Sequence, residues 1–123
     1  MAFGASLTCA VFRGRGEFVE HKIFKDVEHF SKDKYVHVLL FNSDRMKVLL
    51  LCLSGGLMVP PHSHPGFDVT LQPLKGQATL PVEGGKEITL IPGEVFFMDG
   101  AVSFSPRNTS AEDFEMLIHL VRR

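Results

Sequence analysis

The sequence predicts an all-β protein of antiparallel strands that close into a barrel or a two-sheet jelly roll. Short runs of β-branched and aliphatic residues recur from Tyr35 onward. Turn residues, mainly Gly and Pro, separate these runs at roughly eight- to twelve-residue intervals, which is typical of all-β folds. Several runs also alternate polar and apolar residues, as half-buried strands do. Many short strands of this kind protect their edges by closing on themselves, which favours a barrel.

The first 34 residues carry mixed signals. Residues 18–25 alternate like a strand, and residues 26–34 are charged enough for a turn or a single helical turn. Residues 1–16 are expected to form an arm. We therefore expect two parts, an N-terminal arm and edge strand over residues 1–34, packed on a barrel domain over residues 35–123.

The predicted barrel strands follow from residue 35 onward. Residues 35–41 and 45–53 form the first predicted hairpin, because the polar trio Asn42, Ser43 and Asp44 supplies a turn between two apolar runs. Pro73 indicates an edge or a bulge in its strand. The later predicted strands are residues 69–74, 77–82, 86–90, 94–98 and 113–121.

Size, charge and cysteine content exclude several classes of function. A chain of 123 residues suits one domain, and 13 Lys and Arg against 14 Asp and Glu leave a net charge of −1. There is thus no electrostatic reason to expect nucleic acid or an anionic membrane as a partner. Cys9 and Cys52 form no CxxC pair. No apolar run approaches the roughly 18 residues of a membrane span, and no basic segment precedes the apolar N-terminal stretch, so we expect a cytoplasmic protein.

The candidate site is the segment GLMVPPHSHPGFD, residues 56–68. His62 and His64 are separated by one residue, and on an extended segment such side chains project to the same side. Prolines and glycines on either flank confine the segment between turns. Two imidazoles placed in this way are within reach of one divalent cation, such as zinc, nickel, iron or manganese.

This segment resembles the first motif of the cupin superfamily: Gly, five residues, His-any-His, three or four residues, Glu, six residues, Gly. Its glycine and histidine positions are occupied by Gly56, His62, His64 and Gly76. The acid position then falls on Val69. The three-residue spacing nominates Asp68 instead, which reaches the histidines only if a β-bulge after Pro65 restores its direction.

Residues 93–108 resemble the second cupin motif: Gly, five residues, Pro-any-Gly, two residues, His, three residues, Asn. Gly93 and Asn108 match its ends, and Phe104 stands at the histidine position. The resemblance implies a small single-domain cupin barrel. It also implies that a bound metal would be held by three histidines and one glutamate, whereas Val69 and Phe104 occupy two of those four positions and offer no lone pair.

Two functions are compatible with this interpretation. The first is a small-molecule-binding module with weakly held metal or none, in which His62 and His64 anchor a partly apolar organic ligand in a pocket that includes Val69 and Phe104. The alternative is a metal-dependent cupin enzyme of the isomerase, lyase or dioxygenase type, with His62, His64 and Asp68 as candidate ligands.

The remaining expectations concern the other histidines and the assembly. His21, His29 and His37 are expected at the surface or at sheet edges, and His119 is expected opposite the apolar face of the last strand. The resemblance to small cupins further implies a homodimer, to which the N-terminal arm can add a strand.

Overall fold

The computed structural model describes residues 9–14 and 17–123, with side chains from Val19 onward except that of Glu83. Most of the arm expected over residues 1–16 therefore lies outside the described residues, and only its strand from Cys9 to Gly14 is included. Nine strands follow one another along the described chain: β1 (Cys9–Gly14), β2 (Glu17–Lys22), β3 (Val36–Asn42), β4 (Met46–Leu53), β5 (Phe67–Lys75), β6 (Ala78–Pro81), β7 (Glu87–Leu90), β8 (Phe96–Asp99) and β9 (Phe114–Arg122).

The largest element is a five-stranded sheet in the order β3-β4-β9-β5-β8. Every neighbouring pair in it is antiparallel. Two further antiparallel pairs, β1-β2 and β6-β7, form separate two-stranded sheets. The prediction of an all-β, antiparallel fold is confirmed.

Helical structure is slight. One turn of helix, α1 (Phe24–Val27), lies in the charged N-terminal region, and a 3-10 turn at Glu83–Gly85 joins β6 to β7. Within the described part of the chain, no helix is long and apolar enough to cross a membrane.

Pro73 shows how β5 accommodates a residue that cannot donate a backbone hydrogen bond. On one side, β8 pairs only with residues 68–71 of β5, so no β8 partner faces Pro73. On the other side, the register with β9 shifts between Pro73 and Lys75. The proline therefore lies at a bulge, where a missing N–H costs little.

The two faces of the five-stranded sheet bury different clusters, because strand side chains alternate. On β4, Leu49, Leu51 and Leu53 face the barrel interior and pack with strands β5 and β9. Val48, Leu50 and Cys52 face outward and form a second cluster. Val27 and Phe30, from the region of α1, pack against this outer cluster. The alternation explains why nearly every position of β4 is apolar.

Isolated bridges connect the loop segments to one another and to β6. Isolated antiparallel bridges join Met58 to Arg107, His62 to Phe104 and Thr79 to Arg107. Asn108 is almost completely buried, and its Nδ2 donates to the carbonyls of Leu53 and Glu112 over 2.9 and 2.7 Å. This asparagine thus ties the end of β4 to the loop that enters β9.

Candidate functional site

A cavity of about 350 Å³ opens at the mouth of the barrel. This is the lower end of the size range of small-molecule sites. Its wall combines three imidazoles and a phenol with apolar side chains, and it is lined by Tyr35, His37, Leu49, Val59, Pro60, Pro61, His62, His64, Phe104 and Ile118. Among the described residues, no Asp, Glu, Lys or Arg lines this wall, so the cavity is apolar with a neutral polar side.

The histidine segment is held by the loop after β8. The backbone N–H of His62 donates to the carbonyl of Phe104 over 3.1 Å, and Phe104 returns the bond over 2.9 Å. The N–H of His64 donates to the carbonyl of Gly100 over 2.6 Å. The two imidazole rings lie with their centroids 4.9 Å apart at an interplanar angle of 87°. Backbone pairing therefore fixes both rings at one cavity wall.

The hydrogen bond with the Pro60 carbonyl decides which nitrogen of the neutral His62 ring carries the proton. Its Nδ1 lies 2.9 Å from the carbonyl oxygen of Pro60. A carbonyl oxygen only accepts hydrogen bonds, so Nδ1 must carry the proton. In the neutral ring, Nε2 is then left with a free lone pair.

Phe104 occupies the position where the cupin motif has its third histidine. It is 2% exposed, and its ring centroid lies 4.8 Å from that of His62 and 6.1 Å from that of His64. An apolar ring therefore stands against both imidazoles.

His37 is the site residue that sequence reasoning missed. It lies on the edge strand β3, as expected, but its ring also lines the cavity beside His62 and His64. His37 keeps part of its surface in solvent, but partial desolvation of its ring, followed by the charges of His62 and His64, lowers the pKa of His37. Alternation along β3 puts His37 on the face opposite Val36 and Val38, and the structure shows that these two valines pack in the outer cluster.

The pKa of His64 is lowered as well. Burial lowers its pKa first, and the charges of His62 and Lys47 lower it further. Near pH 7, both His37 and His64 are thus held in the uncharged form, in which an imidazole both donates and accepts a hydrogen bond.

Asp68 and Val69 are placed away from the imidazoles. The Asp68 carboxylate accepts a hydrogen bond from Nε of Arg123 over 2.7 Å, and Arg123 also contacts Asp99 over 3.0 Å. β5 pairs regularly with β9 from Phe67 to Pro73, so the bulge that would redirect Asp68 is not in this part of the strand. Val69 is completely buried in the inner core, and neither residue is part of the cavity wall.

These side chains do not fit the metal site that the fold family implies. Two of its four ligand positions carry an alkyl and a phenyl group, and the nearest alternative carboxylate is bound to an arginine. In the portion of the chain that the structure describes, no group of three or more His, Cys, Asp or Glu side chains is arranged to hold a metal ion.

Fold and site together define a small antiparallel β-barrel with an imidazole-lined cavity at its mouth. The family model described as the cupin domain matches residues 49–120. The chain therefore belongs to the cupin family, and the expected cupin-type jelly roll is confirmed.

Solved structures from several bacteria have the same fold. The protein TT1209 from Thermus thermophilus is 28% identical over 83% of this chain and 96% of its own, with a TM-score of 0.75. An RmlC-like cupin protein from Desulfovibrio desulfuricans is 20% identical over 76% of this chain and 88% of its own, with a TM-score of 0.68. An uncharacterised conserved protein with a double-stranded β-helix domain from Klebsiella pneumoniae is 15% identical over 81% of this chain and 87% of its own, with a TM-score of 0.76. A comparison with curated proteins gave no match.

Proposed function

We propose that this cupin is a small-molecule-binding module that holds a partly apolar organic ligand without a tightly bound metal. The observation that carries the proposal is the cavity of about 350 Å³, whose polar side consists of His37, His62 and His64. Leu49, Val59 and Ile118 supply apolar parts of the same wall. A pocket with a few convergent polar groups in an apolar wall is the usual form of a small-molecule site.

The residues at the remaining ligand positions support binding without metal. Phe104 contacts the ring of His62 and fills space that a third imidazole would otherwise occupy. Asp68 is engaged by Arg123 on the outer face of the sheet. A divalent ion at the histidine pair would thus have two protein ligands and would exchange readily with solvent, because structural zinc sites use four.

The proposal is tested by elemental analysis of protein expressed without a histidine tag, combined with a fragment screen observed by NMR. We expect substoichiometric metal that dialysis removes, and fragment-induced shifts that concentrate on Phe104, Ile118 and the three histidines. Stoichiometric iron or manganese that resists dialysis would contradict the proposal.

The same measurements examine the alternative, a metal-dependent enzyme of the isomerase, lyase or dioxygenase type. That alternative requires a tightly held ion at His62 and His64, with Asp68 or water completing its coordination. It therefore predicts that the double variant His62→Ala, His64→Ala loses its metal while keeping its fold. An unchanged metal content in this variant would remove His62 and His64 from the alternative.

We further propose that residues 1–34 act as a separate part packed on a barrel of residues 35–123. Val27 and Phe30 pack against the outer cluster of the sheet. Lys75 also contacts this part, through Glu28 at 3.7 Å and through the ring of Phe30 at 5.1 Å. These contacts support a role for the N-terminal part in covering the outer face.

We also propose that the protein is a cytoplasmic homodimer. Val95 and Phe97 are each 67% exposed beside or on β8, which is an edge of the five-stranded sheet. Apolar side chains beside an edge that no described strand pairs with favour association with a second copy. Light scattering on the full chain and on a variant lacking residues 1–16 tests this. A monomer in both samples would contradict it, and a monomer only in the shortened variant would assign the contact to the arm.

A further inference from the structure

We infer that the cavity takes a small uncharged molecule with an O–H or N–H group at one end and an aromatic or other apolar body, and that Nε2 of His62 accepts its hydrogen bond. This inference rests on the proposed function, because it names the class of ligand for the same cavity. Three features of the cavity wall carry it.

The first feature is the fixed orientation of the His62 ring. Its Nδ1–H is already donated to the Pro60 carbonyl over 2.9 Å. In the neutral ring Nε2 therefore accepts and does not donate, and it points away from the Pro60 carbonyl. A ligand group that only accepts hydrogen bonds cannot satisfy Nε2, whereas a hydroxyl or an N–H can.

The second feature is the apolar surface beside that acceptor. The Phe104 ring lies 4.8 Å from the His62 ring at an interplanar angle of 40°. Phe104 itself is almost completely buried and packs against the His62 ring within the core. The accessible apolar surface of the wall is that of Tyr35, Pro60 and Pro61, against which a flat ring of a ligand can pack while its donor reaches Nε2.

The third feature is that no Asp, Glu, Lys or Arg among the described residues lines the cavity. An ammonium group on a ligand would lose its hydration here without meeting a carboxylate, and a carboxylate would have to charge one of the imidazoles to gain an ion pair. The charges that lower the pKa of His64 are those of His62 and then Lys47, and the permanently charged one of these, Lys47, is not part of the wall. An uncharged ligand avoids this cost.

Three probes of similar size separate these features. Phenol carries the O–H donor, anisole has the same ring with its oxygen methylated, and benzoate carries a charge. Titrations followed by NMR shifts at Phe104 and Ile118 give the dissociation constants. We expect phenol to bind about five- to tenfold more tightly than anisole, which corresponds to one net hydrogen bond. We expect benzoate to bind more weakly than phenol.

Substitutions at His62 test whether this residue causes the preference for phenol over anisole. In His62→Leu the phenol-to-anisole affinity ratio should fall to about 1, since the acceptor is gone. In His62→Gln, which keeps an acceptor at a similar reach, part of the preference should return. His21→Leu is the matched control, because His21 is exposed on β2 and not part of the cavity wall. It should keep the preference of the unaltered protein.

The outcomes separate the two proposals. Equal binding of phenol and anisole in the cavity of the unaltered protein, or tighter binding of benzoate, would overturn the hydroxyl inference and leave the binding function intact. A preference for phenol that survives in His62→Leu would also overturn it. If none of the probes shifts the cavity resonances near its solubility limit, the proposed binding function itself fails.

Discussion

His62 and Phe104 lie opposite each other in an antiparallel bridge, with their ring centroids 4.8 Å apart. The residue at the third histidine position of the second cupin motif is thus in contact with the first histidine of the other motif. The two motifs are thus in contact through this pair. The phenyl ring of Phe104 occupies the position of the motif's third histidine ligand.

This contact predicts that Phe104→His completes the three histidine positions of the two motifs, with the new imidazole beside His62 and His64. We expect the affinity of this variant for zinc to rise at least about tenfold over that of the unaltered protein, because a third ligand joins the two already present. The loss of a buried phenyl ring should also cost about 2 kcal/mol of stability without metal. Competition with a chromogenic chelator measures the affinity.

Phe97→His is the matched control, because Phe97 is 67% exposed and lies on β8. It introduces the same residue away from the cavity. An equal rise in zinc affinity in both variants would show that surface imidazoles, rather than the motif position, produce the effect.

Much of this arrangement could be predicted from the sequence. Glycine and proline turns and the alternation of residues 113–121 predicted antiparallel strands, and the two motifs predicted a cupin barrel. The first strand of the predicted hairpin, residues 35–41, corresponds closely to β3. These features are local, so a single sequence reveals them.

The part of the site that depends on non-local packing could not be predicted. His37 comes from an edge strand far in sequence from His62, and both faces of that strand contact apolar residues. The sequence analysis placed His37 only at a surface or edge position, because the face of β3 that meets the cavity is set by packing in the folded protein. The contact between Asp68 and Arg123 was likewise hidden, because it joins β5 to the end of the chain.

The ion pair between Asp68 and Arg123 predicts that Asp68 has no part in metal binding. Asp68→Asn should leave the weak zinc affinity of the protein unchanged, since the carboxylate faces Arg123 at 2.7 Å and lies off the cavity wall. Thermal stability should change little, because exposed ion pairs are screened by solvent. Asp99→Asn, which removes the other carboxylate on Arg123, is the control. A loss of zinc binding in Asp68→Asn alone would return Asp68 to the ligand set.

From the buried carboxyl group of Glu115, we predict that the protein loses stability as pH rises. Glu115 is 4% exposed on the outer face of β9, between its pairing partners Cys52 and Lys75. Its Oε2 has no hydrogen-bond donor among the described residues. Burial first, and then the neighbouring Glu28 carboxyl, raise the pKa of Glu115 to about 7. A proton shared with Glu28 accounts for the otherwise unpaired oxygen.

The sign of the effect follows from proton binding. Between the ordinary value of 4.5 and about 7, the folded protein holds a proton on Glu115 that the unfolded chain releases. Stability is therefore fully present below this window and is lost as pH rises through it, by about 3 kcal/mol. Urea unfolding across the window measures the loss. Glu115→Gln should remove most of it, whereas Glu87→Gln, on an exposed position of β7, should not. An equally steep loss in Glu115→Gln would contradict this origin.

The tight packing around Gly100 leads us to predict that adding one methyl group at this position disturbs the cavity, although Gly100 is not part of the cavity wall. Its N–H donates to the carbonyl of Phe67 over 2.8 Å, and its own carbonyl accepts the N–H of His64 over 2.6 Å. A Cβ on Gly100 would overlap the carbonyl oxygen of His64 and would lie 2.5 Å from that of Phe67. Because both neighbours are backbone atoms held by hydrogen bonds, the segment that carries His64 must move to admit the methyl group.

We therefore expect Gly100→Ala to lose about 2 kcal/mol of stability and to weaken binding of the phenol probe, because overpacking forces the backbone apart and turns the His64 ring. Gly93→Ala is the control. Gly93 has a φ of +95°, and a Cβ added there would meet no described atom within 4 Å, so alanine should cost only about 1 kcal/mol of backbone strain and leave phenol binding intact. Urea unfolding and NMR titration measure both quantities. If Gly100→Ala bound phenol as well as Gly93→Ala does, the backbone bond between His64 and Gly100 would not be what orients the imidazole in the cavity.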